Sequence, residues 1–195
     1  MNLRQKVAAV AAINGVYFLI EVVVASVIGS VSLFADSVDF FEDTAINLLV
    51  FVALAWPAAR RRVAGRVLAG IILLPALAAL TTAVIKIIGG ATPSAGALTW
   101  TAVGALAANL LAAWILIGIR HEKGSLVKGA WLAARNDAIG NIAIIGAGIA
   151  TFVSPSPWWD IAVGVLMGLI NLRAAAEVWE ASEFEGNARE LLEDN

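Results

Sequence analysis

The stretch SVSLFADSVDFFEDTAINLLVFVALAW, Ser30–Trp56, decides how the whole chain is read. Asp36, Asp39, Glu42 and Asp43 follow one another in a setting that is otherwise almost wholly apolar. A carboxylate near the centre of a bilayer costs about 2.5–3.5 kcal/mol on insertion scales. Several in one span call for an offsetting partner, and a metal ion or a proton is the obvious one. At about 100° per residue, Ser32, Asp36, Asp39, Asp43 and Asn47 fall within an arc of about 80° on one helix face. Asp39 and Asp43 stand one turn apart, so two carboxylates can close on one ion. Glu42 points well away from Asp43 on the same wheel.

Working outward, the chain of 195 residues is 61% hydrophobic and 14% charged. A soluble domain is nearer half apolar and a quarter charged, so the excess points to several membrane spans. Gly, Pro and charge clusters divide the chain into six stretches of spanning length, 7–29, 32–56, 64–88, 97–119, 126–152 and 158–179. The expected fold class is an all-α membrane protein with six transmembrane helices. Basic residues set its direction. Arg4 and Lys6 precede the first span, and Arg60, Arg61, Arg62 and Arg66 lie between the second and third. Arg120, Lys123 and Lys128 lie between the fourth and fifth, with Arg173 and Arg189 at or beyond the end of the sixth. The alternate loops carry no Lys or Arg, so the positive-inside rule puts both termini in the cytoplasm. Trp56, Trp131 and Trp179 near inner ends, and Trp100, Trp158 and Trp159 near outer ends, fit an aromatic belt. Residues 1–180 read as one six-helix domain and 181–195 as a short acidic cytoplasmic tail.

Composition also excludes chemistry. Without cysteine there is neither a disulfide nor a thiolate metal site, and the single histidine, His121, sits in the loop-like IRHEKGS. No nucleophile–base constellation is present, so an enzyme is not expected. The basic residues are scattered among short loops, which gives nucleic-acid binding no support.

A second polar pair lies in the fifth span, in ARNDAIGNIAIIGAG, where Asp137 and Asn141 are again one turn apart. The second and fifth spans run in opposite directions, yet both pairs fall near the middle of their own spans. Asp39, Asp43, Asp137 and Asn141 therefore form a candidate four-ligand cage at the depth where transport sites commonly lie. The alternative is that these groups are hydrogen-bonded glue between helices. Such bonds are worth only about 0.6–2 kcal/mol in membranes, little against three carboxylates.

At these residues the chain resembles the cation diffusion facilitator family of metal–proton antiporters. Asn14, Phe18 and Glu21 look like the family's N-x-x-x-F-x-x-E, and Gly29 to Ser37 like its G-S-x-S-L-x-A-D-S. The family's metal-binding His/Asp-x-x-x-Asp of the second span falls on Asp39 and Asp43, and that of the fifth on Asp137 and Asn141. WWDIAVGVLMGLINLRAA resembles the family's sixth span, with Asp160 at its outer start. The resemblance implies six helices, alternating access, and export of divalent cations against protons from the cytoplasm, while the short loops and the lack of targeting extensions suggest a prokaryotic cytoplasmic membrane. It implies that the four positions hold the ion as transported substrate, with no resident cofactor. Three departures stand out: Asn141 in place of a carboxylate, no cytoplasmic metal-sensing domain after the sixth span, and no histidine-rich loop between spans four and five. The missing domain is the family's usual dimer-forming module. It leaves a homodimer open, and with it the alternative of a non-transporting subunit that partners a full-length transporter.

An all-oxygen site of three carboxylates and an amide favours manganese, iron(II) or cobalt, whereas family habit favours zinc, cobalt or cadmium. Around it, Asp36, Asn47 and Glu21 are candidates for a supporting shell. Asp36 reads equally as helix-start hydration, Asn47 as helix–helix glue, and Glu21 as a structural bond or part of a proton path. Arg135 either snorkels or pairs with Glu42. Lys86 is expected to snorkel to the outer interface, and Asp160 to cap the N-terminus of its own helix.

Overall fold

The computed structural model of the chain describes residues 3–53, 70, 73, 77, 79–117, 125–173 and 176. Helices account for nearly all of them: α1 Leu3–Ile28, α2 Val31–Ala53, α3 Ala79–Gly89, α4 Ala95–Ile117, α5 Ser125–Val153 and α6 158–173. No strand occurs among the described residues. The expected tail 181–195, His121, Arg60 to Arg62, Arg66, Trp56 and Trp179 lie outside them, as do the side chains of Trp131 and Arg135.

The break between α1 and α2 is a two-residue turn. Gly29 takes φ 63°, a left-handed conformation that glycine adopts without cost at a helix end. Ser30 follows as the N-cap of α2, its Oγ accepting a hydrogen bond from Leu33 N at 3.1 Å. So short a turn folds the two helices into an antiparallel hairpin. Residues equidistant from the Ile28–Gly29 junction then face each other, as Tyr17 and Phe40 do with ring centroids 5.1 Å apart.

All six helices meet in one cluster of buried side chains, Ala25 of α1, Leu33 and Ala35 of α2, Ala79 of α3, Leu98 and Ala102 of α4, Ile144 of α5 and Met167 of α6. The most extensive pairings are α4 with α5 and α1 with α2, and α2 meets α5 along a shorter line. Small residues permit the close approach that membrane helices use in place of hydrophobic burial. Gly164 of α6 shows the tightest case, since a Cβ there would sit 2.6 Å from the backbone of Val31 and Ser32.

The polarity of the molecule is inverted relative to a water-soluble protein. Val16, Leu19, Val23 and Val27 on α1, Leu110 and Trp114 on α4, and Ile139 and Ile142 on α5 are exposed. Asn14, Glu21, Asp36, Asn141 and Asp160 are wholly buried. An outward apolar face with ionisable groups turned inward is what a bilayer selects. By length and composition, Gln5–Ile28 and Ala95–Leu116 are apolar enough to cross a membrane. The four acidic residues in α2 keep that helix below that mark, and Asp137–Val153 of α5 is a shorter apolar helix.

Candidate metal centre

α2 and α5 bring together the two sequence-distant acidic positions. Asp39 and Asp43 lie on α2 and Asp137 and Asn141 on α5, and the two helices pack against each other. All three candidate ligand carboxylates remain partly accessible rather than fully enclosed. Among the described residues, no three carboxylate or imidazole side chains converge closely enough to hold an ion by themselves.

Asn141 is fully buried. Its Nδ2 donates to Asp137 O, one turn back on α5, at 3.0 Å, while its Oδ1 has no hydrogen-bond partner. The amide is thereby fixed with its acceptor free. On α1, Asn14 Nδ2 donates to Asp43 Oδ2 at 3.0 Å. Asn47 Nδ2 donates to Asp43 O at 2.7 Å, so Asn47 braces its own helix rather than reaching the carboxylates.

Two turns closer to the Gly29–Ser30 turn along the same seam, Glu21 of α1 faces Asp36 of α2. Both are wholly buried, and none of their four oxygens receives a hydrogen bond from an N–H or O–H donor. The register of the α1–α2 hairpin produces this pair as it produces Asn14–Asp43, since both lie symmetrically about the turn. The turn, visible in the sequence at Gly29 and Ser30, was the signal that could have found them.

Lys86 and Asp160 depart from expectation. Lys86 does not snorkel: it is buried and donates to Asp160 Oδ2 at 2.8 Å and to the carbonyl of Gly29. Asp160 does not cap its own helix. It accepts from Val31 N at 2.8 Å and Ser32 N at 3.1 Å, capping α2, and from the hydroxyls of Ser30 at 2.7 Å and Ser32 at 2.6 Å. The free N–H groups and positive dipole at the start of α2 attract the carboxylate, and the buried charge in turn draws in the ammonium. The result is a clasp that ties α2, α3 and α6 together at one end, beside the Val31, Ala83 and Ile161 contact.

Comparison with known proteins identifies the family. Residues 7–182 match the family described as the cation efflux transmembrane domain. Zinc transporter ZitB of Escherichia coli strain K12 is 31% identical over 191 residues, covering 91% of this chain and 59% of that protein. ZitB of Shigella flexneri matches to the same extent. The cadmium, cobalt and zinc/H(+)-K(+) antiporter of Bacillus velezensis is 34% identical over 88 residues, covering 45% of this chain and 28% of that protein. The chain thus spans 59% of the length of the ZitB proteins. With a match over residues 7–182, the chain belongs to the cation efflux family, and this stretch is its membrane domain.

Proposed function

We propose that this chain moves a divalent metal cation across the cytoplasmic membrane in exchange for protons. The ion is held between α2 and α5 by Asp39, Asp43, Asp137 and Asn141. The observation that carries this reading is the packing of α2 against α5, the two helices that bear Asp39 and Asp43 and Asp137 and Asn141, inside an apolar bundle. Like charges gathered there without a cation are costly, which makes them a functional arrangement by default. The unpartnered Asn141 Oδ1 beside them supplies a further oxygen donor.

The charge balance suggests the coupling. A divalent ion among three ionised carboxylates leaves one net negative charge, and one proton on a ligand removes it and weakens the hold on the metal. Protons arriving from the outer side release the ion outward, and loading from the cytoplasm releases the protons. Asn141 cannot titrate, which lowers the number of exchangeable protons relative to four carboxylates.

Six spanning helices with both termini in the cytoplasm complete the proposal, with the acidic tail 181–195 on the same side. Lys86 is neutralised by Asp160, so it does not weigh against the positive-inside assignment. The oxygen ligands favour manganese, iron(II) or cobalt, and the names of the relatives favour zinc, cadmium and cobalt. The test is flux in liposomes holding the purified chain alone, with each metal presented against an imposed pH gradient. Gradient-driven movement supports the proposal. Well-folded protein that moves no metal refutes transport by the chain alone and points to a partner subunit.

A further inference from the structure

Of the seven buried side-chain polar atoms without a hydrogen-bond partner among the described residues, six are oxygens. Four belong to the Glu21–Asp36 pair, and the other two are the amide oxygens of Asn14 and Asn141. Asn14 is wholly buried, and its orientation is fixed. Its NH2 donates to Asp43 Oδ2, and its oxygen is left without a partner. The helix carrying it is firmly seated, with Gly15 against Thr44 and the Tyr17 hydroxyl donating to Thr101 O at 3.0 Å. An acceptor left bare in an apolar interior costs about 1–3 kcal/mol. Here it stands within one amide group of a candidate metal ligand.

We propose that Asn14 is part of the metal centre, its amide oxygen serving as an additional ligand from α1 that selects for ions preferring more than four oxygen donors. This rests on the assignment of Asp39, Asp43, Asp137 and Asn141 as the ion site. Those four positions satisfy a tetrahedral ion such as zinc. A fifth oxygen adds nothing to a tetrahedral shell, but it completes more of the octahedral oxygen shell that suits manganese. The centre is then built on three helices. The bond from Nδ2 to Asp43 keeps that carboxylate turned toward the ion while Oδ1 coordinates.

The test measures equilibrium binding of Mn²⁺ and Zn²⁺ to the purified full chain in detergent, for the unaltered protein, Asn14→Leu, Asn14→Asp and Asp39→Asn. Asn14→Leu keeps the volume and removes both polar atoms. It is expected to weaken Mn²⁺ binding about 10-fold or more, with a smaller loss for Zn²⁺. Asn14→Asp retains an oxygen donor and is expected to preserve the Mn²⁺ preference. Circular dichroism and thermal melting establish that each variant is folded. The proposal is overturned if folded Asn14→Leu binds Mn²⁺ as before, or if both metals weaken equally. In either case, loss of both metals in Asp39→Asn shows that the four-residue site itself stands. Undiminished binding by Asp39→Asn overturns the site and the role of Asn14 together.

Discussion

Replacing Lys86 with methionine removes the ammonium that faces Asp160 while keeping a side chain of similar length. The remaining carboxylate is still buried, and breaking a buried ion pair from one side costs about 3–5 kcal/mol. Four donors stay in place around Asp160, from Ser30 Oγ, Val31 N, Ser32 N and Ser32 Oγ, and bonds of this kind to a charged acceptor are worth about 1.5–3 kcal/mol each. They keep the charge solvated, so the cost of Lys86→Met falls at the lower end, about 3 kcal/mol. Asp160→Ala is worse, at about 5 kcal/mol, because it strands the ammonium and uncaps α2 at once. Combining the two leaves no buried charge, so the double variant is expected to be no less stable than Asp160→Ala alone. Reversible unfolding in mixed micelles, followed by far-ultraviolet circular dichroism, measures all three. An unchanged midpoint for Lys86→Met, or two costs that simply add, would refute the clasp.

Two further outcomes follow from geometry. Gly164→Ala drives a methyl into the backbone of Val31 and Ser32 and is expected to cost about 1–3 kcal/mol, whereas Gly146→Ala meets open space and should lie within about 0.5 kcal/mol of the unaltered protein in the same unfolding assay. The chain has no cysteine, so single replacements report topology cleanly. Ser94→Cys and Ser154→Cys, in the exposed connections after α3 and α5, are expected to react with an impermeant maleimide from outside intact cells. Labelling only after the cells are opened contradicts the proposed direction.

Much of the candidate site is legible along single helices. The spacing of Asp39 to Asp43 and of Asp137 to Asn141 is set by the helical repeat, which local sequence carries in full. The apolar runs likewise mark α1, α2, α4 and α5 within a few residues of their bounds. What stays hidden depends on how one helix is rotated and shifted against another. Lys86 and Asp160 are far apart in sequence and meet only because α6 packs through Gly164 onto the start of α2. Lys86 reads as a snorkelling residue because its neighbours are apolar, and nothing local shows the carboxylate waiting for it. The Glu21–Asp36 and Asn14–Asp43 pairs are an intermediate case. Their register follows from the Gly29–Ser30 turn once the hairpin is assumed, so the sequence holds the information without displaying it.

The central claim is that side chains from α2 and α5 hold one and the same ion. Equilibrium metal binding by the purified chain, compared among Asp39→Asn, Asp137→Asn and the double variant, tests it most directly. A shared site predicts one ion bound per chain. It also predicts that either substitution alone abolishes tight binding, and that the double variant is no worse than either single one. Binding that survives Asp137→Asn, or losses that add independently, would contradict a centre built across the two helices.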